Sequence, residues 1–130
     1  MTSKQPMTSK RVLIVDDALI MRKRIKQIAL ESGWEIAGEA ENGAEAVALY
    51  KQQTPDLVTL DIVMPQMDGV VALKRLREFD PSARVVMVSA VDQKEKLTEC
   101  IESGAIDFIV KPFEKSRLQK LFNTYLAIDR

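Results

Sequence analysis

From residue 11 onward, the chain alternates between short apolar runs and longer segments in which apolar positions are spaced among polar ones. Short apolar runs rich in β-branched residues predict buried strands over residues 11–15, 34–40, 84–88 and 106–110, and a further strand that ends at Asp61. After each strand, apolar residues recur three or four positions apart, which predicts an amphipathic helix. Strands that alternate with helices indicate an α/β protein, with a parallel sheet covered on both faces and right-handed crossovers. The pattern leaves the strand order open.

Side-chain caps and glycines mark the ends of the predicted helices. Asn42, Asp68 and Asp92 each precede a helical run and offer the oxygen that caps a helix N-terminus. Gly33 and Gly104 follow the first and fourth helical runs, where the chain leaves the helix. The spacing in the fourth helix predicts that three residues face the core: Leu97, Cys100 and Ile101.

The first helix also carries a group of basic residues beside its apolar positions. We interpret this group as a solvated helix face, because charge runs on a helix usually face water. Its members are Arg22, Lys23, Arg24 and Lys26.

Length and composition narrow the class of protein. The chain has 130 residues with 46% hydrophobic content, which is enough for one domain with a real core and too little for two. We assign residues 1–10 to a disordered polar tail and residues 11–130 to the domain. The 19 basic and 19 acidic residues cancel, so no overall positive field favours direct contact with nucleic acid or a membrane.

Cysteine and histidine usage limits the chemistry further. A single cysteine excludes an intramolecular disulfide, and no apolar run at the N-terminus resembles a signal peptide, so we expect a cytoplasmic protein. The chain has no histidine, which removes the commonest general base and metal ligand. Any chemistry must therefore use carboxylates, hydroxyls and lysines.

Polar side chains follow four of the predicted strands at the point where each strand ends. Asp16 and Asp17 follow the first strand, Asp61 ends the third, Ser89 follows the fourth and Lys111 follows the fifth. Because the carboxyl ends of parallel strands lie at one edge of a sheet, we expect these side chains to lie along that edge.

The three carboxylates predict a metal site. Three ionised carboxylates at one edge repel one another, and a divalent cation is the simplest way to offset that repulsion. Mg²⁺ prefers oxygen ligands and retains several waters, and Mn²⁺ accepts similar ligands. We predict Asp17 and Asp61 as direct ligands, Asp16 acting through water, and the main-chain carbonyl of Val63 completing the set. A lysine and a serine would hold the oxygens of an incoming phosphoryl group, and Asp61 would be the nucleophile.

In their order and spacing, these residues resemble the receiver domain of two-component response regulators. The resemblance covers residues 11 to 128, and single-domain regulators of the chemotaxis type are the most similar members. It implies a doubly wound, flavodoxin-like (CheY-like) fold with strand order 2-1-3-4-5. The motifs that carry it are Val12-Leu13-Ile14-Val15-Asp16-Asp17, Met64-Pro65-Gln66-Met67-Asp68-Gly69, Ser89-Ala90 and Asp107-Phe108-Ile109-Val110-Lys111-Pro112-Phe113.

The resemblance implies a role for each residue at the strand ends. Asp61 is the expected phosphoacceptor, Asp16 and Asp17 are the expected magnesium-binding acids, and Lys111 is the expected counter-charge of the phosphoryl group. It also implies a cis peptide bond between Lys111 and Pro112.

A second group of residues is expected to read out the phosphorylation. The Ser89 hydroxyl is expected to move to the phosphoryl oxygen, and Phe108 is expected to turn into the space that it leaves. Val63 and Val91 occupy two positions that tune the lifetime of the phosphoryl group in this family. Both are apolar here, so neither side chain can orient an attacking water.

The implied function is that of a signalling switch. A histidine kinase of the chemotaxis (CheA-like) type would donate the phosphoryl group, and a remodelled face would bind an output protein such as a flagellar motor switch protein or a phosphatase. We expect a monomer that is not an enzyme, because it catalyses only its own Mg²⁺-dependent phosphorylation and dephosphorylation.

The sequence leaves other functions to be considered. The chain could be the receiver of a non-motility phosphorelay, or one excised from a longer DNA-binding response regulator. A metal-dependent aspartyl-phosphate phosphatase of the haloacid dehalogenase type needs a second acid two residues after the nucleophile, and Val63 cannot serve as one. A flavodoxin-like cofactor protein needs a phosphate-binding turn after the first strand, where Asp16 and Asp17 would repel a phosphate.

Overall fold

The computed structural model describes residues 9–128, and the predicted alternation of strands and helices is present throughout them. The five strands in this range are β1 (Arg11–Val15), β2 (Glu35–Ala40), β3 (Leu57–Asp61), β4 (Val85–Ala90) and β5 (Asp107–Lys111). The five helices are α1 (Leu19–Glu31), α2 (Gly43–Gln53), α3 (Gly69–Phe79), α4 (Lys94–Glu102) and α5 (Lys115–Leu126).

The strands of the described chain form one parallel sheet in the order β2-β1-β3-β4-β5, which confirms the predicted fold class. β3 lies at the centre, and all five of its residues are buried, as expected for a parallel strand with helices on both faces. In the pairing of β1 with β3, Val15 lies opposite Leu60. The residues that follow these two positions, Asp16 and Asp61, are therefore neighbours at the carboxyl edge.

Two apolar clusters, one on each face, hold the helices to the sheet. On one face α1 and α5 pack through residues that include Ile25, Ile28, Leu118, Leu121 and Phe122. On the other face α2, α3 and α4 pack through residues that include Ala46, Tyr50, Leu73, Leu76 and Cys100. Burial of these side chains is the main favourable term in folding and fixes the strand ends relative to one another.

Two of the three predicted side-chain caps are present. Asn42 accepts a hydrogen bond from the Glu45 amide at 2.9 Å, and Asp68 accepts one from the Val71 amide at 3.1 Å. The prediction for Asp92 is wrong, because α4 has Gln93 at its N-cap and no side-chain cap. The Gln93 amide first closes a turn on the Ala90 carbonyl at 3.1 Å, which places Asp92 outside the helix.

The predicted inward face of α4 is partly wrong. Cys100 is buried and Leu97 packs against the core, but Ile101 is 42% exposed. Each helical residue is rotated about 100° from the one before it, so Ile101 lies at the margin of the stripe that Leu97 and Cys100 form. α4 contacts the sheet through a narrower strip than the spacing indicated.

The predicted tail at residues 1–10 falls mostly outside the described residues, which begin at Ser9. Lys10 belongs to the packed part of the molecule. Its ammonium group donates hydrogen bonds to the carbonyls of Tyr125, at 3.2 Å, and Ile128, and its own carbonyl accepts the Glu35 amide at 2.9 Å. The folded region therefore starts before residue 11.

Candidate functional site

The sheet brings the three predicted carboxylates together at its carboxyl edge. Asp16 and Asp17 directly follow β1, and Asp61 is the last residue of β3. One carboxylate oxygen from each residue lies within 4.8 Å of the others. Asp16 and Asp61 are buried, whereas Asp17 is exposed. This donor set consists entirely of oxygen atoms, which suits a hard divalent cation.

Lys111 joins two of these carboxylates from the end of β5. Its Nζ atom lies 2.8 Å from Asp16 Oδ2 and 3.5 Å from Asp61 Oδ1. Burial opposes the charged form of Lys111, but the hydrogen bond to Asp16 and the attraction of Asp61 outweigh it, so the pKa of Lys111 is raised. The Lys111–Pro112 bond is cis, as the family resemblance implied.

Asp61 lies in an environment that disfavours its charge. Burial raises its pKa from 3.8 to about 6, the Asp16 and Asp17 carboxylates contribute to the increase, and Lys111 opposes it. The side chain is also largely shielded, since Asp61 is only 7% exposed. The residues present therefore fit a bound cation, because a positive charge here would offset a repulsion that Lys111 offsets only in part.

Close backbone packing fixes the strand end that carries Asp61. The Gly69 amide at the start of α3 donates to the Ile62 carbonyl at 2.6 Å. A Cβ atom at Gly69 would overlap the Asp61 carbonyl oxygen and lie 2.8 Å from the Ile62 Cα atom. Only glycine allows α3 to begin this close to the end of β3.

The remaining predicted residues lie around this cluster. Ser89 is buried at the end of β4, and its hydroxyl donates to the Ala90 carbonyl at 2.9 Å. Phe108 is 38% exposed on β5, opposite Met87 of β4. The side chains of Val63 and Val91 are exposed in the loops that follow β3 and β4. The roles assigned to these residues remain predictions.

The interpretation of the first helix as a solvated basic face is wrong for Arg22. This residue is only 8% exposed, and its Nη1 atom donates to the main-chain carbonyl of Asp16 at 2.7 Å. Its Nε atom donates to Glu39 of β2 at 3.1 Å. The sequence held a signal for this, because Arg22 precedes Ile25 by three positions and so lies on the buried side of α1.

Arg24 also has a structural partner that the sequence did not indicate. Its Nη2 atom donates to the Phe113 carbonyl at 2.9 Å, and its guanidinium lies 4.9 Å from the centre of the Phe113 ring. α1 thus contacts the loop after β1, which begins with Asp16, and the loop after β5, which directly follows Lys111.

A doubly wound sheet with an acidic cluster and a lysine at its carboxyl edge defines a class of phosphoryl-accepting α/β domains. The model of the response regulator receiver domain matches residues 12–123, and the chain belongs to this family. It is similar to the chemotaxis protein CheY of Bacillus subtilis, with 51% identity over 116 residues, covering 89% of this chain and 97% of the relative. It is also similar to the chemotaxis protein CheY of Thermotoga maritima, with 51% identity, 88% of this chain and 95% of the relative.

Solved structures of the same family have the same fold. The chain is similar to the CheX–CheY–BeF3–Mg complex from Borrelia burgdorferi, with a TM-score of 0.85, 39% identity, and coverage of 92% of this chain and 90% of that one. It is also similar to the receiver domain of NtrX from Brucella abortus, with a TM-score of 0.83, 32% identity, and coverage of 91% and 99%. These findings confirm the resemblance stated from the motifs. None of the helices between residues 9 and 128 has the length and apolar composition needed to cross a membrane.

Proposed function

We propose that this chain is a phosphorylation-activated signalling switch whose phosphoacceptor is Asp61. The observation that carries the proposal is the arrangement of three carboxylates within 4.8 Å of one another, with Lys111 bridging Asp16 and Asp61. Asp61 would attack the phosphorus atom of a donor, and the donor's leaving group would depart with its electron pair. Lys111 would then turn from Asp16 toward the oxygens of the new aspartyl phosphate.

The proposal includes a divalent cation, Mg²⁺ or Mn²⁺, at the acidic cluster. Asp17 and Asp61 would bind it directly, Asp16 through water, and Val63 through its main-chain carbonyl. When bound, it would neutralise charge on the phosphoryl oxygens. Support comes from the all-oxygen donor set and from the raised pKa of Asp61. The Borrelia burgdorferi relative contains BeF3 and Mg.

Signalling would follow from a change in hydrogen bonding at Ser89. In this structure the Ser89 hydroxyl donates to the Ala90 carbonyl. After phosphorylation it would donate to a phosphoryl oxygen instead, and Phe108, now 38% exposed, would turn toward the vacated space. Phenylalanine has no hydroxyl, so a partner would recognise the new packing rather than a polar contact at this position.

We infer that the kinase is a CheA-like histidine kinase and that the output is a flagellar motor switch protein or a phosphatase. The inference is supported by the CheY relatives, 97% and 95% of whose lengths are covered, and by the relative that forms a complex with CheX. We expect a cytoplasmic monomer that catalyses only its own phosphorylation and dephosphorylation, with no direct contact with nucleic acid or a membrane.

Phosphotransfer from a small acyl phosphate tests the chemistry. The purified protein is mixed with acetyl phosphate with and without Mg²⁺, and the intact mass is followed beside Asp61→Asn. We expect one phosphoryl group on the wild type, only with Mg²⁺, and none on the variant. Equal labelling of the two proteins would refute the assignment of Asp61.

Partner capture tests the chemotaxis role separately. The protein is loaded with beryllium fluoride and Mg²⁺, and it is used as bait in lysate beside the unloaded protein and Asp61→Asn. Motor switch or chemotaxis proteins bound only to the loaded protein would support the proposal. Capture of kinases and phosphotransfer proteins alone would favour a non-motility phosphorelay.

A further inference from the structure

Arg22 is a buried cation that contacts the main chain of Asp16 in the acidic cluster, and the proposed phosphotransfer does not use it. Its guanidinium connects two elements, since Nη1 donates to the Asp16 carbonyl at 2.7 Å and Nε donates to Glu39 Oε1 at 3.1 Å. A planar guanidinium presents several N–H groups in a fixed geometry, so one side chain can hold both oxygens at once. Through this contact α1 and β2 are tied to the main chain where β1 ends.

Asp16 is held by hydrogen bonds at its amide, its carboxylate and its carbonyl. Its amide donates to the Ala40 carbonyl at 3.0 Å, and its Oδ1 atom accepts the Ala18 amide at 2.9 Å. Its main-chain carbonyl accepts from the Arg22 side chain, which comes from α1. The orientation of the Asp16–Asp17 peptide, and so the direction in which the Asp17 carboxylate leaves the strand, depends on that carbonyl.

We propose that Arg22 is a positioning residue for the metal site, acting through the Asp16 carbonyl. The inference rests on the proposed function, because it takes the acidic cluster to be a Mg²⁺ site. Outer partners that orient metal ligands typically contribute about 10- to 100-fold to metal affinity. Arg22 fixes the Asp16–Asp17 turn before the ion arrives, so the ion need not order it.

The charge of Arg22 acts in the opposite direction, which makes the inference testable. The Arg22 guanidinium is a positive charge close to the carboxylates and repels Mg²⁺. Removal of Arg22 would therefore strengthen Mg²⁺ binding if charge were decisive. Glu39 offsets that charge in part, since its carboxylate lies 3.1 Å from Arg22 and is shared with Lys26 at 3.4 Å. We therefore expect the loss of positioning to outweigh the loss of repulsion.

The experiment measures Mg²⁺ affinity by isothermal titration calorimetry on metal-free protein, with urea unfolding of the same samples. Arg22→Met removes both donors and is expected to weaken Mg²⁺ binding by about tenfold. Arg22→Lys keeps the charge and one donor nitrogen, and it is expected to recover part of the affinity. Lys26→Met is the matched control, because Lys26 lies one turn further along α1 and contacts Glu39 but not Asp16. Its affinity is expected to equal that of the wild type.

Each other result has a defined meaning. Unchanged or tighter binding by folded Arg22→Met would overturn the inference, and a lower free energy of unfolding with unchanged affinity would reduce Arg22 to a structural residue. Those results leave the proposed metal site intact, because the wild type still binds Mg²⁺. A wild type that takes up no Mg²⁺ would instead overturn the proposed site and this inference together.

Discussion

Replacing Asp61 with asparagine should stabilise the metal-free protein at neutral pH, although it removes the proposed phosphoacceptor. The Asp61 carboxylate is buried beside two other carboxylates, and its pKa is raised from 3.8 to about 6. The folded protein thus binds a proton at Asp61 more tightly than the unfolded chain does. Asparagine has nearly the same shape as aspartic acid and carries no charge, so the repulsion disappears.

The size of the effect follows from the two pKa values. The difference between 3.8 and about 6 corresponds to about 3 kcal/mol at neutral pH. The site opens to solvent at the edge of the sheet, and screening reduces this value, so we expect a gain of about 1–2 kcal/mol. The direction of the pKa shift also determines the pH range over which the stability of the wild type changes. Because the folded pKa is raised, the wild type loses stability as the pH rises from 3.8 to about 6, and Asp61→Asn does not.

Urea unfolding in the presence of a chelator measures this difference. The wild type and Asp61→Asn are compared at pH about 5 and about 7.5, on either side of the raised pKa. The gain should be larger at the higher pH. Added Mg²⁺ should reduce it, since an ion that binds the folded wild type stabilises that protein more. Glu102→Gln is the control, because Glu102 is an exposed carboxylate at the end of α4, outside the cluster.

Two results would refute this reasoning. A variant less stable than the wild type at neutral pH would mean that the contact with Lys111 outweighs the repulsion. An equal gain at both pH values would mean that the effect does not come from ionisation of Asp61.

Three further predictions concern Gly69, Val63 and Tyr125. Gly69→Ala should destabilise the protein by about 1–3 kcal/mol in urea unfolding, because the added Cβ overlaps the end of β3. Gly38→Ala, whose Cβ would lie 3.6 Å from its nearest neighbour, should be tolerated, and equal losses would contradict the argument. Val63→Asn should change the rate at which the phosphorylated protein decays, because an amide next to the acceptor can orient water; identical decay curves would exclude this. Tyr125→Phe should destabilise by about 1 kcal/mol, because it removes the 3.0 Å hydrogen bond to Asp107. A loss of the same size in Asp107→Asn, which keeps an acceptor, would assign the effect to the charge instead.

The position of the site could be predicted from the sequence because it depends on topology more than on detail. Once five strands are parallel, every strand's carboxyl end lies at the same edge, so Asp16, Asp61 and Lys111 had to lie along it. The strand order needed the family resemblance, since alternation of strands and helices is the same for several orders. Periodicity also placed Leu97 and Cys100 correctly on the inward side of α4.

Residues whose placement depends on particular contacts in the folded chain could not be predicted in this way. Arg22 reads as a surface residue by type, and its burial depends on Glu39 and the Asp16 carbonyl lying within reach. Asp92 has the right residue type for a cap, but a turn closed at Ala90 shifts the helix start beyond it. In both cases the general preference of the residue type is overridden by a contact that exists only in the folded chain.

The ion pair between Asp16 and Lys111 joins residues that are 95 positions apart in the chain. This separation affects the order in which the strands pair during folding. Pairing of β1 with β3 already brings the acids of the cluster together. A partly folded chain in which these strands have paired, but β5 has not, therefore carries the full repulsion without its lysine. Closure of so long a loop is entropically unfavourable, and the pairing of β5 offsets part of the repulsion when it brings in Lys111. The edge strand β5 is thus also the strand that supplies the positive charge nearest to the buried acids Asp16 and Asp61.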